Sequence, residues 1–284
     1  MNFRTLFAGS ALSAIAFASC GDGGGNTSSA SSADSTAPAP RVMPSLSPVS
    51  ASPEFPDSKI GIATVKAEKV GKDSAKVSFM FDVKNYQLKM QTADSATKQC
   101  NNSAQGQHIH FILDNMPYKA LYEPKNEVTL ANGTEHYLMA FLSRSYHESI
   151  KSAGAALVYH FRISADGKLE KLDEPKTPMV FYSRPKGDYL GKDTANVLLD
   201  YYVWNASLAP DGYKVNATVL TEKGGMTDST KFTFDKWEPK FITNLPTGKN
   251  KVILTLTDKN GIAVEGPCTN VAREFTLTAQ EPMK

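Results

Sequence analysis

Two stretches of this chain carry one pattern, and that repetition limits the folds open to it. Residues 77–88 read VSFMFDVKNYQL and residues 197–208 read VLLDYYVWNASL, so Val83, Asn85 and Leu88 are answered by Val203, Asn205 and Leu208. The correspondence continues downstream. Residues 130–133 (LANG) before the apolar run 137–142 match residues 245–248 (LPTG) before the run 252–256. Between these marks each copy has an aromatic and proline segment, Met116-Pro117-Tyr118 in one and Trp237-Glu238-Pro239 in the other. A repeat of this length calls for two like units rather than one large one. Within each unit, short β-branched and aromatic runs alternate with turns such as Ala165-Asp166-Gly167, Pro210-Asp211-Gly212 and Lys259-Asn260-Gly261. No stretch sustains a helical apolar period. The expectation is an all-β protein of two tandem antiparallel β-sandwich domains, immunoglobulin-like in general architecture. The segment LDEPKTP at 172–178 interrupts the apolar pattern. It divides a first domain, 57–172, from a second, 173–284.

The N-terminal part has a different composition. Residues 21–56 consist largely of Gly, Ser, Ala, Thr and Pro, too little apolar surface to offset chain entropy. A disordered tether over 20–56 is expected, with a reach of roughly 30–40 Å by random-coil scaling. Before it, Arg4, an apolar segment over 6–17 and the run Ala18-Ser19-Cys20-Gly21 resemble a bacterial lipoprotein signal. The resemblance implies that residues 1–19 are removed and that Cys20 carries the lipid. The apolar segment, broken by Ser10 and Ser13, is shorter than the ~20 residues that span a bilayer. The partner implied is a membrane reached through a lipid anchor, and the place is the cell envelope. Gly21 after the cysteine favours the outer membrane by analogy with a lipoprotein sorting rule.

Charge excludes one class of partner. With 31 basic and 29 acidic residues and a net charge of +2, interspersed rather than clustered, nucleic acid is not expected. Export also bears on the cysteines. With Cys20 lipidated, Cys100 and Cys268 remain as a disulfide pair joining the two halves. The alternative is two unrelated thiols, Cys268 buried as a small apolar residue.

Histidines carry the clearest chemistry. His108 and His110 lie two apart in the strand-like QHIHFILD, so they share a face. His136 opens the next apolar strand and His147 follows its end. Imidazoles from neighbouring strands and a loop are a usual way for a β-sandwich to build a metal site. The second copy lacks them, with Lys251 at the place of His136 and Ile262 near that of His147. The expected set is His108, His110 and His136, with His147 as a fourth contributor, and Cu(II) or Zn(II) as the ion. Met139 alternates with Tyr137 and Phe141 and reads as core. The competing reading treats the histidines as hydrogen-bonded, half-buried residues.

The segments GQHIHFILDN (106–115) and GTEHYLMAFLSRSYH (133–147) resemble a small family of exported, histidine-rich β-sandwich proteins. With AFLSRSYHESIK (140–151) and FYSRPKGDY (181–189), the chain is also similar to exported lipoproteins labelled phosphopeptide-binding. Both resemblances imply the fold. The second adds an alternative function, an interaction module for peptide or glycan ligands in which Arg144, Arg184 and Lys186 donate to an anionic or polar group.

Other motifs are weak. Ser143 and Ser145 near His147 lack a carboxylate orienter, so no hydrolase is expected. The sequon Asn205-Ala206-Ser207 and the Asp-Gly and Asn-Gly turns read as hairpin features rather than glycan or calcium sites. The chain thus reads as a non-enzymatic, lipid-anchored envelope protein. Its first domain bears a His-lined metal or polar-ligand site, and the partner is an unidentified polar ligand or envelope protein.

Overall fold

A computed structural model describes residues 42–279; Cys20, the expected signal segment and most of the expected tether lie outside them. Seventeen strands alternate with turns, and one 3-10 turn, Gly191–Thr194, is the only helical element among the described residues. In chain order the first nine are β1 (Ser45–Pro48), β2 (Lys59–Val70), β3 (Ser74–Lys84), β4 (His108–Leu113), β5 (Lys119–Leu121), β6 (Lys125–Ala131), β7 (Thr134–Ser143), β8 (Ala156–Ile163) and β9 (Leu169–Lys171). Eight follow: β10 (Met179–Arg184), β11 (Gly187–Leu190), β12 (Val197–Trp204), β13 (Lys214–Lys223), β14 (Met226–Phe234), β15 (Lys240–Thr243), β16 (Gly248–Thr257) and β17 (Asn270–Thr278). They form two β-sandwiches. In the first, β2-β3-β6 faces β5-β4-β7-β8-β9; in the second, β1-β15-β12-β10 faces β11-β17-β16-β13-β14.

Alternation explains the strands. In β3, Ala75, Val77, Phe79 and Phe81 turn inward while Met80 and Asp82 face out. Their inward side meets Ile109, Phe111, Leu138, Ala140 and Phe161 to make the first core. Val215, Ala217, Val219, Val252, Leu254 and Leu256 do the same in the second. The repeat is exact in register across one pair of strands. Phe141 pairs with Ala156 and Thr255 with Asn270, each partner lying 114 positions on. Asn85 and Asn205 share a left-handed φ of 54° and 52°. Each donates its side-chain amide to a carbonyl in the segment leading into β2 or β10, Asp57 O and Pro175 O respectively.

β4 departs from alternation, since His108, Ile109, His110, Phe111 and Ile112 are all buried. Its odd residues enter the first core. Its even residues face the second sandwich, where Ile112, Met139 and Phe141 pack with Met179, Phe181 and Tyr202. That shared layer joins the sandwiches, and residues 42–279 belong to one compact unit. Met139 is core, as its spacing suggests.

Two expectations need correction here. The tether does not extend to residue 56. β1 pairs antiparallel with β15, Leu46 packs on the second core and Phe55 on the first. Lys98 donates to Ser50 O and Ala51 O, and Arg144 to Pro53 O. Isolated apolar residues and free carbonyls are enough to dock a Pro/Ser-rich segment when a sheet edge and two buried cations await them. Nor are the cysteines bonded. Both are free, Cys100 against Tyr146, Leu198 and Phe241 and Cys268 against the shared layer. Each lies in a different apolar cluster, Cys100 buried and Cys268 partly so, and desolvation pushes both thiols up to about 12.

Candidate metal centre

Three of the four expected histidines converge. His108 Nε2 lies 2.9 Å from His110 Nε2 and 3.1 Å from His147 Nδ1, and the three residues are buried and form a group able to hold an ion. β4 supplies the first two from one face. His147 comes from the turn after β7, where Ser143 pairs with Ser149 in an isolated bridge. The same turn follows β16, where Thr257 pairs with Ala263. Matching bonds run His147 N to Arg144 O and Gly261 N to Asp258 O, at 2.9 and 3.0 Å. His147 (φ 69°) therefore stands where the second copy has Gly261 (φ 80°). A side chain in this left-handed position costs on the order of 1 kcal/mol or more relative to glycine, and here it directs an imidazole into the group.

The register also revises the comparison between copies. His108 pairs with Ser143 as Lys214 pairs with Thr257, so Lys214 and Asn216 replace His108 and His110. Asn250, not Lys251, answers His136, and Gly261, not Ile262, answers His147.

His136 is not a member of the site. It lies on the parity of Leu138 and Ala140, which face the first core, whereas His108 and His110 lie opposite Ser143 and Phe141. Strand parity thus puts it on the other face of the sheet. Its ring rests near Phe161, Nδ1 meets Asp114 Oδ2 at 2.6 Å and Nε2 meets Thr134 Oγ1 at 2.6 Å. Those contacts satisfy both nitrogens.

Arg144 is also committed elsewhere. It is buried, its Nη1 donates to Glu148 Oε1 at 3.1 Å and Ser149 O at 3.2 Å, and its Nε donates to Pro53 O. It anchors the N-terminal segment and is not a loop donor to a ligand. Arg184 and Lys186 do stand at the site. Lys186 Nζ donates to Tyr118 O at 2.7 Å, and Arg184 Nη1 donates to Tyr189 Oη at 3.2 Å.

Several neighbours were not singled out from sequence as site residues. Gly106 O accepts from His108 Nδ1 at 2.8 Å, and Ser183 Oγ of β10 lies 3.0 Å from His110 Nδ1. Tyr118 stacks on His110 with centroids 3.7 Å apart and planes 7° from parallel. Its hydroxyl is 3.2 Å from His147 Nδ1. The Met116-Pro117-Tyr118 segment was visible only as a repeat mark, and Ser183 comes from the other sandwich.

Burial sets the charge of the cluster. It pushes His108 down to about 4 and holds His110 and His147 well below the ordinary histidine value, and Arg184 and Lys186 add to the effect in all three. All three imidazoles are neutral at pH 7. Hydrogen-bond accounting then exposes a conflict. His108 Nδ1 must carry the proton that meets Gly106 O, so its Nε2 has one in-plane lone pair, yet two ring nitrogens crowd it. One acceptor pair cannot serve both.

No family model matches this chain, and no curated protein matches it. Among solved structures, it is similar to the fibronectin(III)-like modules of Clostridium thermocellum CbhA, at 12% identity over 77% of this chain and 93% of that one, with a TM-score of 0.24. It is also similar to the extracellular domain of a hybrid two-component system from B. thetaiotaomicron, at 10% identity over 75% and 38%, with a TM-score of 0.27. The tandem sandwiches are established by the sheet order itself. No helix among the described residues is long and apolar enough to cross a membrane.

Proposed function

We propose that this protein is a lipid-anchored envelope protein that binds a transition-metal ion, Cu(II) or Zn(II), through His108, His110 and His147. The observation that carries the reading is the crowded lone pair of His108 Nε2. An ion between the three nitrogens removes the conflict, because each then points its lone pair at the metal. His108 Nδ1–H keeps Gly106 O, and His110 Nδ1–H donates to Ser183 Oγ. A ligating imidazole whose other nitrogen is held by a carbonyl or hydroxyl is the usual outer arrangement of such sites. Imidazole donors suit Cu(II) and Zn(II). Separations of 2.9 and 3.1 Å lie near the ~3.3 Å edge of a tetrahedron with metal–nitrogen bonds of ~2.0–2.1 Å.

The interaction-module alternative loses one of its three donors, since Arg144 is tied to Glu148 and Pro53. Lipidation at Cys20 and outer-membrane placement rest on the signal-like N-terminus.

Elemental analysis of protein purified without a histidine tag, after exposure to Zn(II) or Cu(II) and desalting, tests the metal reading. One ion per chain is expected, falling to none when His108 and His147 are both replaced by Ala. Retention of the ion by that double variant, or no ion in the parent protein, overturns it.

A further inference from the structure

Charge and coordination number separate the ions that three imidazoles can hold. His108, His110 and His147 are neutral donors, and among the described residues no carboxylate or thiolate joins their group. The ion therefore keeps its whole charge. The three residues are 0, 0 and 7% exposed, so little of that charge reaches water, and burying it uncompensated is costly. In the Born picture the cost grows with the square of the charge.

Two fixed cations widen the difference between ions. Lys186 Nζ lies 4.2 Å from the centre of the Tyr118 ring, and that ring is stacked 3.7 Å from His110. Arg184 Cζ lies 5.4 Å from the same ring. Neither cation is spent on an acid among the described residues: Lys186 donates to Tyr118 O, and Arg184 to Lys186 O and Tyr189 Oη. Their field penalises a divalent ion twice as much as a monovalent one. The rings around the triad leave it at three donors. Tyr118 lies face-on to His110, with 7° between the planes, which keeps its hydroxyl out of the plane of that imidazole. Tyr122 turns its hydroxyl to Ser103 Oγ, and the ring of Phe141 is 4.9 Å from that of His110. Three donors satisfy Cu(I), a filled-shell ion of low charge, whereas Cu(II) takes a tetragonal set and Zn(II) four donors.

We propose that the centre holds copper most tightly as Cu(I), bound by the three imidazoles alone; this rests on the metal reading above and names the oxidation state the site prefers. No electron or proton moves on binding, since the imidazoles are neutral beforehand and the ion arrives reduced. Lys186 and Arg184 set the preference through their charge and are not ligands.

Dissociation constants at pH 7 test this, for Cu(I) without oxygen against a Cu(I)-selective chelator and for Cu(II) in air against a Cu(II)-selective one. The Cu(I) constant is expected to be the smaller, which makes bound copper a stronger oxidant than the free ion. A unit charge about 8 Å away in a partly solvated setting is worth roughly tenfold, so Lys186→Gln should tighten Cu(II) relative to Cu(I) by about that factor, or about 59 mV in a one-electron potential. Lys186→Arg keeps the charge and should keep the parent ratio. A smaller constant for Cu(II) in the parent protein, or a ratio that Lys186→Gln leaves unchanged, overturns the preference and leaves the triad in place. Failure to bind copper in either state removes the triad reading itself. Should Lys186→Gln not fold, the two constants of the parent protein decide.

Discussion

Acidifying the metal-free protein from pH 7 to pH 5 should destabilise it, and His108 supplies a magnitude. The side chain is fully buried, and burial lowers its pKa from 6.5 to about 4. Below pH 6.5 the unfolded chain takes up a proton that the folded chain refuses until near pH 4. In that window the unfolded state binds more protons, so stability falls as pH falls. The contribution is complete above about pH 6.5 and gone by about pH 4. At about 1.4 kcal/mol per unit of difference it amounts to roughly 3 kcal/mol, of which about 2 is lost by pH 5. His110 and His147, shifted the same way, act in the same direction. Against a total stability of ~5–15 kcal/mol this is a large effect. Glu148, whose carboxyl is raised by burial, works with the opposite sign: it favours the folded state at low pH. Comparing His108→Asn with the parent protein removes that common term. Urea unfolding in the presence of a chelator at pH 7, 6 and 5 gives both slopes. The parent should lose stability steeply, and His108→Asn should show a dependence weaker by about 1 kcal/mol per pH unit in this range. Equal slopes, or a parent protein whose stability is flat from pH 7 to 5, would refute the buried neutral cluster.

Three further outcomes follow from the structure. Gly106 has φ +82°, and a Cβ there would lie 2.6 Å from Met90 O, so Gly106→Ala should cost about 2 kcal/mol or more and weaken metal binding by displacing the carbonyl held by His108; thermal melts and metal titration read both. Deleting residues 42–56 removes the β1–β15 pairing and the carbonyls that hold Lys98 and Arg144, so a loss of about 3 kcal/mol or more is expected in urea unfolding, and an unchanged midpoint would contradict the docked segment. Alkylation followed by peptide mass spectrometry should find Cys100 and Cys268 slow to label when folded and fully labelled in denaturant without reductant, whereas a linked peptide would restore the disulfide.

The repeat was readable because turn chemistry is local. Asn85 and Asn205 end equivalent strands in a left-handed conformation that asparagine tolerates, and each carries its β-branched and aromatic run with it. The pairing of His108 with His110 was readable from strand periodicity alone. The third member of the cluster was not. His136 and His147 are eleven residues apart, and the choice between them depends on a turn at 144–148 that takes His147 out of the strand to the face His136 cannot reach. The only mark of that turn was the glycine at 261 in the other copy, and it becomes visible only when the register is aligned one residue differently. Ser183 and the docking of residues 45–55 depend on the packing of one sandwich against the other, which no local pattern encodes. The cysteines illustrate the same limit, since an expectation of export allows a bond but does not place two sulfur atoms together.

Crystals soaked with Zn(II), with data collected on both sides of the zinc absorption edge, test the central claim most directly. One strong anomalous peak is expected about 2.0–2.2 Å from His108 Nε2, His110 Nε2 and His147 Nδ1. A fully occupied peak elsewhere, at His136 and Asp114 or at His160 and Glu135, with none inside the triad, would contradict it.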